Sequence, residues 1–226
     1  MESLQSVHLK TRKAYNLAAQ KYHDLFHDEM NQKERDRRLL DDFALRFAKG
    51  SLLCDAGCGP SAHIGRYLFE KGMRVVGVDI AERCIEIACK HNPGMDFERG
   101  DIAQLAFDAG SFDGILSYYS IIHTPKRYMP DIFNEFHRIL KPGGTVLIAV
   151  KAGTTEGYVT DLLGIETELY FTFFTEEEIA QYLEQAGFQL EYIEKRTPYD
   201  FEIDIERIYA IGRKRQAVTM AEQITC

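Results

Sequence analysis

LLCDAGCGP, residues 52–60, is an apolar run that ends in an acid and opens into two glycines. An apolar run of this length stopped by turn residues reads as a buried strand. Gly57 and Gly59 then let the chain turn sharply and leave no side chain in the way of a ligand, with backbone amides open to its approach. A helix is expected next, near Ala62 to Lys71. Strand, glycine turn and helix in that order form the first unit of an open parallel sheet, whose ligands bind at the carboxyl ends of the strands.

The same unit recurs down the chain. MRVVGVD, MDFERG, FDGILSYY and GTVLIAV read as further strands, with helices near Glu82 to His91 and Tyr128 to Leu140. This alternation predicts an α/β fold with a parallel sheet. KPGG at Lys141 to Gly144 is expected to stop a helix and turn tightly into the fifth strand. TEEEIAQYLEQAGF from Thr175 has a capping box, an acidic first turn and a closing Gly187. QLEYIEK and ERIYAIGRK, separated by TPYDFEID, are expected to form an antiparallel hairpin that closes the sheet. Upstream, residues 4–47 carry apolar positions at helical spacing and predict two helices as an N-terminal cap.

The acid before the glycines narrows the ligand. A dinucleotide fingerprint would place a third glycine at Ala62, and Asp55 would repel bound pyrophosphate. S-adenosylmethionine has no phosphate and carries an ammonium and a sulfonium, so the same carboxylate becomes favourable. Asp79 ends the second strand, where an acid accepts hydrogen bonds from ribose hydroxyls. Asp101 follows the third, in position for an adenine amino group, with Ile80 and Ile102 covering the ring faces.

Taken together, LLCDAGCGP, VVGVDI, GDIAQLAF, FDGILSYYSIIH and ILKPGG resemble the consecutive motifs of class I S-adenosylmethionine-dependent methyltransferases of the small-molecule type. The resemblance spans roughly residues 50–150. It implies a Rossmann-like, seven-stranded, mostly parallel sheet with helices on both faces and an antiparallel last strand. AYNLAAQKYHDLF also resembles the helix that many small-molecule members fold over the cofactor, which assigns Tyr15 and Tyr22 to it. Ser61 departs from the pattern, since many relatives have a third glycine there.

The expected cofactor contacts are therefore Tyr15, Tyr22, Asp55, Gly57, Gly59, Asp79, Ile80, Asp101, Ile102, Ser117 and Tyr118. His123, in SIIHTP after the fourth strand, is the candidate general base and an acceptor contact. Tyr119, Lys151, Tyr158 and Tyr170 complete the expected acceptor side. Methyl transfer from a sulfonium is an in-line displacement with an activated donor, so alignment and exclusion of water supply most of the catalysis. The expected reaction is methylation of a small molecule at oxygen or nitrogen, releasing S-adenosylhomocysteine and needing no metal. RNA or protein methylation would call for a basic or extended groove, and a non-catalytic regulator for a sealed acceptor pocket.

Composition agrees with that reading. The 226 residues are 45% hydrophobic and carry a net charge of −8, which disfavours nucleic acid as a partner. The five cysteines include no CxxC pair, so neither a disulfide framework nor a zinc site is expected. No signal-like or membrane-spanning run is legible, and a cytoplasmic protein with no membrane association is expected. Its organisation is expected to be one domain over 1–215: a helical cap at 1–48, a cofactor-binding core at 50–150 and a lid or acceptor segment at 152–174. A loose tail is expected at 216–226. The sequence carries no signal for oligomeric state.

Overall fold

The computed structural model describes residues 2–216. Its centre is β1 (Leu52–Ala56), paired in parallel with β2 (Arg74–Asp79) on one side and β4 (Phe112–Tyr118) on the other. β3 (Asp96–Arg99) adds to β2, and β5 (Leu140–Lys151) adds to β4, both parallel. β8 (Phe188–Arg196) and β9 (Arg207–Lys214) complete the order β3-β2-β1-β4-β5-β9-β8. β9 runs antiparallel to both β5 and β8, so the seven-stranded sheet with a reversed last strand is as expected.

Strand alternation buries both faces. Leu53, Val75, Leu116, Leu147 and Ile211 point to one core, which is closed by α2 (Glu34–Ala44) and α3 (His63–Glu70). Cys54, Val76, Ile115, Val146 and Ala210 point to the other, closed by α5 (Met129–Ile139) and α6 (Glu176–Gln185). α6 begins with the expected capping box between Thr175 and Glu178. α4 (Glu82–His91) follows β2 and meets α1 (Leu4–Phe26) through Ala19, Cys84 and Ile87.

One local expectation changes. KPGG does not precede the fifth strand but lies inside it: β5 starts at Leu140, pairs there with Phe112, and resumes regular pairing at Thr145 after an irregularity. Gly143, with φ of 81°, takes up that irregularity. The segment 152–174, expected as a lid or acceptor segment, is mostly a hairpin, β6 (Glu156–Leu162) and β7 (Ile165–Thr172), forming a separate two-stranded sheet. Its turn places Leu163 and Gly164 at φ of 57° and 76°. Two positive φ values are what a two-residue hairpin turn needs to match strand twist, and Leu is an uncommon residue there. β7 packs against α1. Beyond Gln216 the expected tail lies outside the described residues.

One polar knot ties the last strands to α2. Asp36, almost fully buried, accepts hydrogen bonds from Tyr118 and Tyr209 and pairs with Arg196 at 3.1 Å. Arg196 also holds Glu202 at 2.7 Å. Burial of so many charges is tolerable because each has a hydrogen-bonding partner.

Candidate active site

The carboxyl ends of β1, β2 and β4 open into a cavity roofed by α1, with about 860 Å³ of space between atoms including its mouth. The glycine turn forms its floor. Gly57 and Gly59 sit at φ of 84° and 63°, in the region that favours glycine. A Cβ on Gly57 would lie 2.2 Å from the Cβ of Ser120, whereas one on Gly59 would meet nothing within 4 Å.

The amides of this turn are not free for a ligand, contrary to expectation. Gly57 and Cys58 donate to the Val78 carbonyl at 2.7 and 2.9 Å, and Gly59 donates to Asp79 Oδ2 at 2.9 Å. A phosphate cradle needs these donors pointed outward. The turn offers shape and carboxylates instead.

Those carboxylates are buried. Asp55 is 2% exposed, and its one hydrogen bond is accepted from the Gly65 N–H at 3.1 Å. Burial pushes its carboxyl up to about 7, with nearby Asp79 adding to the effect. Asp79 accepts from Gly59 and Ala81 and is pushed by burial to about 6. Both groups gain from a cation or hydroxyl donors placed in the cavity. An ammonium beside Asp55 and ribose hydroxyls beside Asp79 would supply these, so the carboxylates fit S-adenosylmethionine.

Asp101 differs. Burial works against its charge, but His8 Nδ1 at 2.7 Å and the Ala103 N–H at 2.9 Å outweigh it and hold its carboxyl below the usual range. His8 also reaches Thr124 Oγ1 at 2.9 Å, which anchors α1 beside the third strand end. Arg12 and Asn16 fasten the same helix to Glu82.

Across the cavity, His123 is 5% exposed. Its Nδ1 lies 2.9 Å from the Tyr170 carbonyl, which assigns the proton to that nitrogen. Nε2 is then an acceptor, met at 2.8 Å by the Tyr15 hydroxyl. Burial lowers the imidazole to about 4.

Tyr15, Tyr22, Asp55, Gly57, Gly59, Asp79, Ile80, Asp101, Ile102, Tyr118, Tyr119 and His123 all line this one cavity. Four expected residues do not. Ser117 is fully buried behind it, its hydroxyl 2.7 Å from that of Ser120, because its strand position faces the sheet interior. Tyr158 binds Glu2 on the outer side of the hairpin, and Tyr170 stacks edge-on against Tyr158. Only the backbone of Tyr170 serves His123. Lys151 lies over the Phe171 ring, and burial pushes its amine down to about 8. His8, Glu29, His63, Ser120 and Thr124 line the cavity without having been expected. His8, Tyr15 and Tyr22 recur every seven residues on one helical face, a spacing that was legible.

Residues 53–144 match a family model described as a methyltransferase domain. Over that stretch, from β1 into β5, the chain is similar to a methyltransferase domain. The chain is 29% identical over 160 residues to a 24-methylenesterol C-methyltransferase 2 of Oryza sativa, covering 65% of this chain and 43% of the rice protein. It is 26% identical to a ubiquinone biosynthesis O-methyltransferase of Coxiella burnetii, covering 75% and 80%. The chain spans less than half the length of the plant and yeast relatives it matches. In fold it is similar to the 1,6-didemethyltoxoflavin-N1-methyltransferase of Burkholderia thailandensis, with a TM-score of 0.74 and 18% identity, covering 96% of this chain and 92% of that one. That structure holds 1,6-didemethyltoxoflavin and S-adenosylhomocysteine. Among the described residues no helix is long and apolar enough to cross a membrane, and no cluster of three or more metal-ligating side chains occurs.

Proposed function

We propose that this protein transfers a methyl group from S-adenosylmethionine to an oxygen or nitrogen of a small molecule, with His123 as the base that takes the acceptor's proton. The observation that carries the reading is the placement of His123 Nε2, a lone pair held by the Tyr170 carbonyl bond and turned to the same cavity as Asp55 and Asp79. When bound, the methyl donor supplies an electrophilic carbon on a positively charged sulfur.

The chain's residues do the rest. Asp55 holds the ammonium, Asp79 the ribose hydroxyls, and Ile80 and Ile102 flank the adenine, with Asp101 at its edge. Tyr15, Tyr22 and Tyr119 wall the space beside His123. There the acceptor's O–H or N–H displaces the Tyr15 hydroxyl from Nε2. As the carbon–oxygen or carbon–nitrogen bond forms and the carbon–sulfur bond breaks, the acceptor's proton passes to Nε2. Burial keeps His123 neutral at physiological pH, so the base form is always present. α1 and the β6–β7 hairpin close over the site and exclude water.

The relatives' names cover acceptors at carbon, oxygen and nitrogen. The base supports an acceptor that sheds a proton on methylation, as an O–H or N–H group does. The test is a screen of small O–H and N–H compounds with S-adenosylmethionine, reading formation of S-adenosylhomocysteine. Turnover that His123→Ala abolishes supports the proposal. Tight cofactor binding with no turnover on any compound, or turnover indifferent to His123, overturns it.

A further inference from the structure

Four carboxylates line the cavity, those of Glu29, Asp55, Asp79 and Asp101, and among the described residues no lysine or arginine lines it with them. The proposed cofactor takes up the three aspartates and leaves Glu29. Its Oε1 lies 2.8 Å from His63 Nε2 and its Oε2 2.8 Å from Lys33 Nζ. Burial opposes its charge, but His63 and Lys33 bring its carboxyl down to about 2. Lys33 is shared with Glu202 at 3.1 Å, and Lys151 lies over the Phe171 ring, outside the lining. S-adenosylmethionine, with an ammonium, a sulfonium and a carboxylate, brings a single net positive charge. Acids therefore still outnumber cations around the acceptor.

The sense of the hydrogen bonds agrees with the charge. Tyr209 gives its hydroxyl hydrogen to Asp36 at 2.7 Å, so the Tyr119 hydroxyl, 3.1 Å from that of Tyr209, donates to it and spends its hydrogen outside the lining. Tyr15 gives its hydrogen to His123 Nε2. Thr124 gives its hydrogen to His8 Nε2, because Asp101 takes the other ring nitrogen of His8. His63 donates through Nε2 to Glu29, so its buried Nδ1 is a lone pair, with no partner among the described residues. With these hydrogens spent and lone pairs left over, a ligand has to bring hydrogens of its own. A carboxylate or phosphate brings lone pairs and negative charge, and would lose its water here for nothing in return. The walls beside the base are rings: Tyr15 stands 6.0 Å from Tyr22 and edge-on at 5.3 Å from His123, between centroids. Rings so placed suit a flat aromatic partner.

We propose that the acceptor is an uncharged aromatic molecule, whose ring bears the O–H or N–H to be methylated and no carboxylate or phosphate. This rests on the proposed methylation at oxygen or nitrogen and names the acceptor class for it. Glu29 touches no reacting atom in this scheme and acts by its charge, turning anions away.

Calorimetric titration of the full chain, saturated with S-adenosylhomocysteine, with hydroxy- and aminobenzoates and the matching benzamides tests it, with turnover by S-adenosylmethionine followed in parallel. The amides are expected to bind about tenfold or more tightly than the acids, and to be the members methylated. Glu29→Gln keeps an acceptor for His63, leaves Lys33 with Glu202 and removes the charge. It is expected to narrow the preference about threefold, by strengthening the acids while the amides hold their affinity. A Glu29 that only supports the fold would weaken both members of a pair alike. Acids bound as tightly as their amides, or no member of any pair bound by the loaded protein, overturns the acceptor class. Amides preferred yet not methylated would support the class and overturn instead the methylation on which it rests.

Discussion

The Tyr15 hydroxyl stands 2.8 Å from His123 Nε2, joining the N-terminal helix to the end of the fourth strand at the point where chemistry is proposed. His123 donates through Nδ1 to the Tyr170 carbonyl, so among the described residues this contact alone engages its lone pair. Two substitutions separate the roles. His123→Ala is expected to lower the rate of S-adenosylhomocysteine formation by about a hundredfold or more, within the range for loss of a general base. Tyr15→Phe keeps the ring and loses one neutral hydrogen bond, so a rate change of about three- to tenfold is expected. Cofactor affinity, followed by calorimetry, should barely move in the first variant.

Asp55 trades stability for binding. Its carboxyl titrates at about 7 in the folded protein, above the ordinary 3.8. A raised acid contributes stability below the unfolded value, and that contribution is lost as pH rises through the folded one. At pH 8 the buried charge is therefore a cost, by order of magnitude about 4 kcal/mol. Asp55→Asn keeps an acceptor for the Gly65 N–H and carries no charge. It is expected to melt higher than wild type at pH 8 without cofactor, with the advantage shrinking towards pH 4. The same variant should lose measurable affinity for S-adenosylhomocysteine. Equal melting temperatures of the two proteins at pH 8 would show that Asp55 is not held as a buried charge.

The two glycines of the turn differ in what they tolerate. Gly57→Ala must accommodate both a positive φ and a Cβ within 2.2 Å of Ser120, so the turn has to move. Gly59→Ala meets only the positive φ, since the space around it is open. Denaturant unfolding is expected to show a loss of about 1 kcal/mol for Gly59→Ala and at least twice that for Gly57→Ala. Similar values for the two would mean that Ser120 gives way freely.

Much of this was legible from residue order. The strands around Asp55 and Asp79 announce themselves as apolar runs stopped by an acid, because a central parallel strand is buried on both faces. The hairpin at Glu156–Thr172 did not, since its turn uses Leu163 where asparagine or glycine usually signals one. Lys151 and Tyr158 are expected on the acceptor side because they follow the fifth strand, and Tyr170 because it opens an aromatic run. A hairpin turns alternate side chains to opposite sides, and those of Tyr158 and Tyr170 lie outside the lining of the cavity. The histidines at 8 and 63 were missed for another reason: each matters through a partner far off in sequence, Asp101 and Glu29.

Asp36 is the centre of the knot beneath the cavity floor, accepting from Tyr118 and Tyr209 and pairing with Arg196. Asp36→Ala leaves a guanidinium 3% exposed with Glu202 as its remaining acid partner, and two tyrosine hydroxyls without their acceptor. Breaking a buried pair from one side costs about 3–5 kcal/mol. The melting temperature is expected to fall by roughly 10 °C in consequence. A surface pair such as Arg38 with Glu34 serves as the control, and Glu34→Ala is expected to change little.

α1 is held over the cavity by polar contacts and by the packing of its small residues Ala14, Ala18 and Ala19, while Leu9, Leu17 and Leu25 face outward at 47–63% exposure. His8 with Asp101, Arg12 with Glu82 and Tyr15 with His123 are its principal ties. Each tie contributes on the order of 1 kcal/mol, so the helix can leave without the sheet unfolding. Opening of this roof would give a cofactor a route to Asp79. Amide exchange across residues 4–26 is therefore expected to be faster than across β1 or β4, and to slow when S-adenosylhomocysteine is added. His8→Ala, which removes one tie without touching the floor, should speed exchange in α1 alone. Uniform exchange of α1 and the central strands, indifferent to ligand, would show instead that the helix is a fixed part of the core.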